Sequence, residues 1–105
     1  MKVFYPPFSR EELITLLRQR VSMLQEKLPL KRVVLFGSYA QGRQTIASDV
    51  DLLVIYAGEP REDAYALVKR TLGIRLLEPH VYAEREYEQA KETLEWMVKG
   101  GILIE

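Results

Sequence analysis

Apolar residues recur near the start of the chain at three- and four-residue spacing: Leu13, Leu17, Val21, Leu24 and Leu28. That spacing puts them on one side of a helix, so the segment predicts an amphipathic helix with a core-facing stripe. Ser9 followed by Glu12 has the pattern of a capping box, in which each side chain satisfies an amide of the first turn, and Pro29 closes the stripe. The period then changes. Arg32 to Phe36 is a short run rich in branched residues, stopped by Gly37, and predicts a buried strand. From Ser38 to Ser48 the hydrophobicity lapses into Gly, Gln, Arg, Thr and Ser, and Val50 to Tyr56 resumes as a second strand. Pro60 sets the first turn of a helix over about Arg61 to Leu72, with Gly73 as its C′ residue. A third strand is predicted around Ile74 to Tyr82. From Glu84 onward Tyr87, Ala90, Leu94, Met97 and Val98 form another helical stripe, ended by Gly100 and Gly101, and Ile102 to Ile104 is a candidate edge strand. Helices alternating with apolar strands predict an α/β (α+β) domain, a small mixed sheet of about four strands with one face covered by helices.

Composition narrows this picture. A chain of 105 residues has room for one hydrophobic core, so one domain over residues 1–105 is expected. With 48% hydrophobic and 29% charged residues, it reads as an ordinary soluble globular protein. Fifteen basic residues balance fifteen acidic ones, so no global field recruits nucleic acid or an anionic membrane. Cysteine is absent, which removes disulfides, thiolate metal sites and cysteine nucleophiles together. Any metal then uses oxygen ligands or His80, and a reducing, cytoplasmic setting is the expectation. Met1 to Phe8 is broken by Pro6 and Pro7, and no apolar run approaches the roughly 18 residues of a spanning helix, so neither signal peptide nor membrane span is expected.

The chemistry is concentrated in LFGSYAQGRQTIASDVDLLVIY, where one strand runs into Gly37 and Ser38 and the next opens with Asp49 and Asp51. Two residues apart on a strand, the two carboxylates project from the same face. Adjacent like charges repel and raise each other's pKa, and the arrangement becomes favourable with a divalent cation between them. Mg²⁺ suits it, since this ion typically takes one or two protein carboxylates together with substrate phosphates. Gly37 lets the backbone turn sharply and approach a ligand closely, while the amide and hydroxyl of Ser38 can donate to phosphate oxygens. Taken singly, these residues are also what plain turns and strand entrances use. Gly37 to Gly42 spaces like the G-x-x-x-x-G of a P-loop, but Arg43 and Gln44 stand where that motif needs Lys and Ser or Thr.

Gly-Ser followed by Asp-x-Asp, here Gly37, Ser38, Asp49 and Asp51, resembles the signature of the DNA polymerase β superfamily of nucleotidyltransferases. The resemblance is to their small prokaryotic minimal nucleotidyltransferase branch, and the order of elements fits from about Ser9 to Val98. It implies transfer of a nucleoside monophosphate, AMP above all, from an NTP to an acceptor hydroxyl with release of pyrophosphate, assisted by two Mg²⁺ ions. It also implies a third carboxylate on a later strand. No Asp follows Asp63, and Glu78 in LLEPHVY takes that place, against the alternative of a solvent-facing charge. His80, on the same face as Glu78, either assists a proton transfer or contacts phosphate, or is structural or merely exposed. Arg43 either meets phosphate or is an ordinary exposed loop arginine. Arg32, Lys31 and Arg75 are read as surface charges, and Tyr39, Tyr56, Tyr65, Tyr82 and Tyr87 as core residues with hydrated hydroxyls, Tyr39 with the alternative of flanking a base. Small members of this branch often pair with a helical partner of the HEPN type in toxin–antitoxin systems. The resemblance therefore leaves two functions open, an enzyme acting with a homo-oligomeric or HEPN-like partner, and an antitoxin-type module that sequesters that partner with little catalysis.

Overall fold

The computed structural model describes residues 8–105. The first seven residues, on which the expectation of no signal peptide bears, lie outside the described residues. Ser9 Oγ accepts from Glu12 N at 3.1 Å and Glu12 Oε1 accepts from Ser9 N at 2.8 Å, so helix α1 (Arg10–Leu24) starts at the predicted capping box. Its stripe of Leu13, Leu17, Val21 and Leu24 is buried, and Leu28 joins it from the turn that follows. Strand β1 (Leu30–Phe36) leads through the polar loop to β2 (Val50–Tyr56), and α2 (Ala64–Leu72) ends at Gly73 with the left-handed backbone expected of a C′ glycine. The Arg20 guanidinium donates to the Leu72 carbonyl, satisfying an end group of α2 and tying α1 to it.

Strand β3 (Leu77–Ala83), the short helices α3 (Glu84–Gln89) and α4 (Lys91–Met97), and β4 (Ile102–Leu103) complete the order. The sheet runs β3-β2-β1-β4, with β1 antiparallel to both β2 and β4 and β2 parallel to β3. It is therefore the mixed four-stranded sheet that the sequence predicts. Pro79 sits inside β3 without breaking it because β3 is an edge strand, where a missing N–H need not interrupt a ladder.

Several details differ from expectation, among them the start of β1 at Leu30 rather than Arg32 and of α2 at Ala64 rather than Arg61. The third strand starts at Leu77 rather than Ile74, since a turn closed by Leu77 N donating to Ile74 O at 3.2 Å intervenes. The last helical stripe is two helices, broken at Ala90 (φ −121°, ψ 19°). Helices also cover both faces of the sheet, not one. Alternation along the strands sends Val33, Leu35, Leu52, Val54 and Tyr56 to the core under α1 and α2, and Val34, Leu53 and Ile55 to a second cluster with Leu94 and Val98 from α4 and its end. At Gly101 a Cβ would fall 2.7 Å from Val34 Cγ1 and 2.8 Å from Leu35 O, so only glycine lets the α4–β4 turn lie this close to β1.

Candidate active site

Three strand ends meet at one corner of the sheet. β1 finishes at Phe36, which pairs with Asp51 across the antiparallel ladder, and β3 enters on the other side with Glu78 beside Asp51 in the parallel ladder. Asp49 lies just before β2 begins. Residues two apart on a strand share a face, so Asp51 projects with Leu53 and Ile55, and Glu78 with His80. Asp51 is half-buried, whereas Asp49 and Glu78 are exposed. Burial pushes the Asp51 carboxyl above the usual aspartate range, and the negative charges of Asp49 and Glu78 push it further, while His80 opposes them. Asp49, Asp51, Glu78 and His80 thus share one electrostatic neighbourhood.

Gly37 makes this arrangement possible in a way the sequence does not reveal. Its φ is +80°, and a Cβ built there would overlap Asp51 Oδ2 and lie 3.2 Å from Asp51 Cγ. The glycine therefore clears space for the carboxylate itself, besides allowing the sharp turn. After it, Gln41 N donates to Gly37 O at 3.2 Å and Arg43 N to Ser38 O at 2.9 Å. With Gly42 N donating to Tyr39 O at 3.2 Å, this is a hydrogen-bonded turn of mixed span, whose leading amides, from Ser38 onward, have no backbone acceptor within it. Arg43 is exposed and its guanidinium donates to Gln41 Oε1 in the same loop. The loop then closes on itself: Thr45 N donates to Ser48 Oγ at 2.7 Å and Ser48 N to Thr45 O at 3.1 Å, which fixes the chain immediately before Asp49.

The remaining candidates sort as follows. The His80 ring lies 5.3 Å from that of Phe36 at 54°, an aromatic pair beside Asp51. Tyr39, 2% exposed, is a core residue and has no ring face free for a base. Tyr56 is buried with its hydroxyl accepting from Arg61 N at 2.8 Å, whereas Tyr65 is largely exposed, contrary to expectation, because α2 turns it outward. Arg32 is not a free surface charge. Its guanidinium grips Glu95 of α4 by two hydrogen bonds, one of 3.1 Å from Nη2 to Oε1, and Tyr87 Oη donates to Glu95 Oε2 at 2.6 Å. A cleft of about 410 Å³ beside that pair, bounded by Val34, Val98, Gly101 and Leu103, lies apart from the acid corner.

The three carboxylates of Asp49, Asp51 and Glu78 are hard oxygen donors of the kind that suits Mg²⁺. Among the described residues no three His, Asp or Glu side chains stand gathered around a common point. Among the same residues, no helix is long and apolar enough to cross a membrane.

The profile of the nucleotidyltransferase domain matches residues 15–105. Two proteins of Methanocaldococcus jannaschii, provisionally named protein adenylyltransferases, are 44% identical over 43 residues, 41% of this chain and 43% of the relative, and 41% identical over 49 residues, 47% and 50% respectively. These matches span about half the length of the relatives or less. A provisionally assigned nucleotidyltransferase from Sulfolobus solfataricus superposes with a TM-score of 0.62 at 26% identity, over 90% of this chain and 81% of that one. A mutant of the toxin–antitoxin MntA–HpeT gives a TM-score of 0.55 at 24% identity, over 93% and 73%, a likeness of fold. With the profile running from α1 to the end of β4 on a matching architecture, the chain belongs to the nucleotidyltransferase domain family.

Proposed function

We propose that this chain transfers a nucleoside monophosphate, AMP in the first instance, from an NTP to an acceptor hydroxyl on a partner protein. The observation that carries the reading is the corner where Asp51 and Glu78 are register neighbours, with Asp49 two residues before Asp51, beside a glycine turn that leaves room for Asp51. Asp49 and Asp51, with Glu78, would hold Mg²⁺, two ions on the family pattern, which when bound neutralises phosphate charge and makes the acceptor hydroxyl easier to deprotonate. The Ser38 amide and hydroxyl bind the phosphate chain at the turn that Gly37 begins, and Arg43 adds a positive charge on the same loop. The acceptor oxygen attacks the α-phosphorus, its bond to phosphorus forms as the bond to pyrophosphate breaks, and the hydroxyl proton leaves to base or solvent. The strand order β3-β2-β1 puts Ser38 on one side of the aspartates and Glu78 on the other. In an in-line displacement this leaves pyrophosphate on the β1 side and the acceptor on the β3 side.

A protein acceptor accords with the name of the Methanocaldococcus relatives. The exposed Trp96 and Leu103, at the end of the molecule carrying α4 and β4, are apolar surface of the kind a second copy or a HEPN-like helical partner would cover. The test is transfer from α-labelled ATP to a co-purified partner or to extract, together with calorimetry of Mg-ATP. The native chain should label an acceptor and bind Mg-ATP, and Asp49→Asn and Asp51→Asn should lose both while remaining folded. Unchanged Mg-dependent binding in both variants would falsify the site. Partner binding without transfer by the native chain would favour the antitoxin-type module instead.

A further inference from the structure

Leu76 (φ 62°) is the one non-glycine residue with left-handed backbone among the described residues. It stands at the third position of the Ile74–Leu77 turn, where a positive φ ordinarily selects Gly or Asn because a Cβ crowds the backbone. Such strain persists where something else requires the residue. Core packing does not require it, since the side chain is 38% exposed. Its carbonyl accepts from Val50 N at 2.8 Å, the residue between Asp49 and Asp51, and Glu78 follows two positions later. The left-handed turn thus ties the backbone of an exposed aliphatic residue to β2 between the two aspartates. The other segment entering this corner carries a second one: Ile46, also 38% exposed, lies within the Thr45–Ser48 turn directly before Asp49.

We propose that Leu76, with Ile46, forms the apolar seat of the nucleobase, an inference that rests on the nucleotide reading of the acid corner. Gly37, Ser38 and the aspartates offer polar and charged partners to a triphosphate, and none of them suits the faces of an aromatic base. Those faces are buried favourably against carbon, and ligand sites combine a few polar anchors with apolar walls. Aliphatic groups read a ring by contact area rather than by hydrogen-bond pattern, so this seat selects the larger purine ring over a pyrimidine.

The test compares Mg-ATP with Mg-tripolyphosphate, which carries the phosphate chain without the nucleoside, by calorimetry on the native chain and on Leu76→Asn, Leu76→Gly and Ile46→Ser. Asn and Gly tolerate the left-handed backbone, so both Leu76 variants keep the turn, and a melting temperature equal to or above the native value verifies it. The native chain should bind Mg-ATP about tenfold more tightly than Mg-tripolyphosphate, and each variant should lose about fivefold for Mg-ATP while staying within about twofold for Mg-tripolyphosphate. Unchanged Mg-ATP affinity in the variants overturns the seat. An equal loss for both ligands overturns it as well, because it would make these residues supports of the carboxylates. If the native chain binds tripolyphosphate as tightly as ATP, the phosphate cradle stands and the seat alone falls. If it binds neither, the nucleotide reading fails and the seat with it.

Discussion

On the face of the sheet beneath α1 and α2, Val33, Leu35, Leu52, Val54 and Tyr56 meet Leu13, Leu17, Leu24 and Leu72, all buried. On the opposite face the same strands present Val34, Leu53 and Ile55 to α4, then Phe36 and Asp51, with Glu78 and His80 from β3, where the cover is incomplete. Alternation by two lets one strand carry both a dry core and a polar corner, so β2 contributes Leu52 to the first and Asp51 to the second without compromise. The stability of the first face allows the second to keep carboxylates that repel one another. A site on a strand end is also held in place by the ladder behind it, which a loop would not provide.

The largest effect expected is on the first face. Leu17→Ala, at a position with no exposure, should cost about 3 kcal/mol, within the range of roughly 2–5 for core leucine truncation, read as a lowered urea midpoint. Leu94→Ala on the second face should fall at the low end of that range, since its neighbours Met97 and Tyr87 are only partly buried and can relax. A cost at Leu94 greater than at Leu17 would break the contrast between the faces.

Gly37→Ala tests the corner itself. Left-handed backbone disfavours alanine by roughly 1–2 kcal/mol, and here the methyl also meets the Asp51 carboxylate. The total should reach about 2–3 kcal/mol, with loss of Mg-ATP binding. In an Asp51→Ala background the steric part disappears, so the cost of Gly37→Ala should drop to the backbone part alone. A double-mutant cycle measures that coupling. Additivity would mean that Gly37 serves only the turn.

The elements whose signals are local were legible in the sequence. The cap at Ser9 and Glu12, the stripe from Leu13 to Leu28 and the bounds of β2 each depend on residues a few positions apart. The break at Ala90 was not, because neither Gly nor Pro marks it, and neither was the late start of β3, which depends on a leucine in a conformation that its own chemistry disfavours. In the corner, strand period predicts one face for Asp49 and Asp51, and the structure puts Asp51 in β2 with Asp49 just before it. That Glu78 stands beside Asp51 rests on the parallel register of β2 and β3, and the grip of Arg32 on Glu95 joins residues 63 apart. Pairings over such distances leave no trace in local pattern.

Glu95 gives the next effect in size. Hydrogen bonds from Arg32 and then Tyr87 hold its carboxyl below the usual glutamate range. A carboxyl with a lowered pKa in the folded state contributes stability above its ordinary pKa, and the contribution is lost as pH falls through the lower folded value. Because both partners are about a third exposed, solvent screens the pair, and Glu95→Gln should cost about 1 kcal/mol at pH 7. The gap between native and variant melting temperatures should close in acid. A constant gap from neutral to acidic pH would show that Glu95 acts by packing α4 against β1 and not by its charge.

Arg43→Ala carries the smallest expected effect and separates the two faces most cleanly. The side chain is exposed, and its guanidinium is bonded to Gln41 within the loop. Its removal should change stability by no more than about 0.5 kcal/mol, as for surface positions generally. If Arg43 attracts phosphate from the loop that follows Gly37, Mg-ATP should bind about threefold more weakly at low ionic strength. That difference should fade toward nothing by 1 M salt, where the screening length is about 3 Å. A direct, desolvated contact would behave otherwise, with a loss of tenfold or more that salt barely alters. Affinity unchanged at every ionic strength would remove Arg43 from the binding surface and leave Gly37 and Ser38 as the phosphate contacts of that loop.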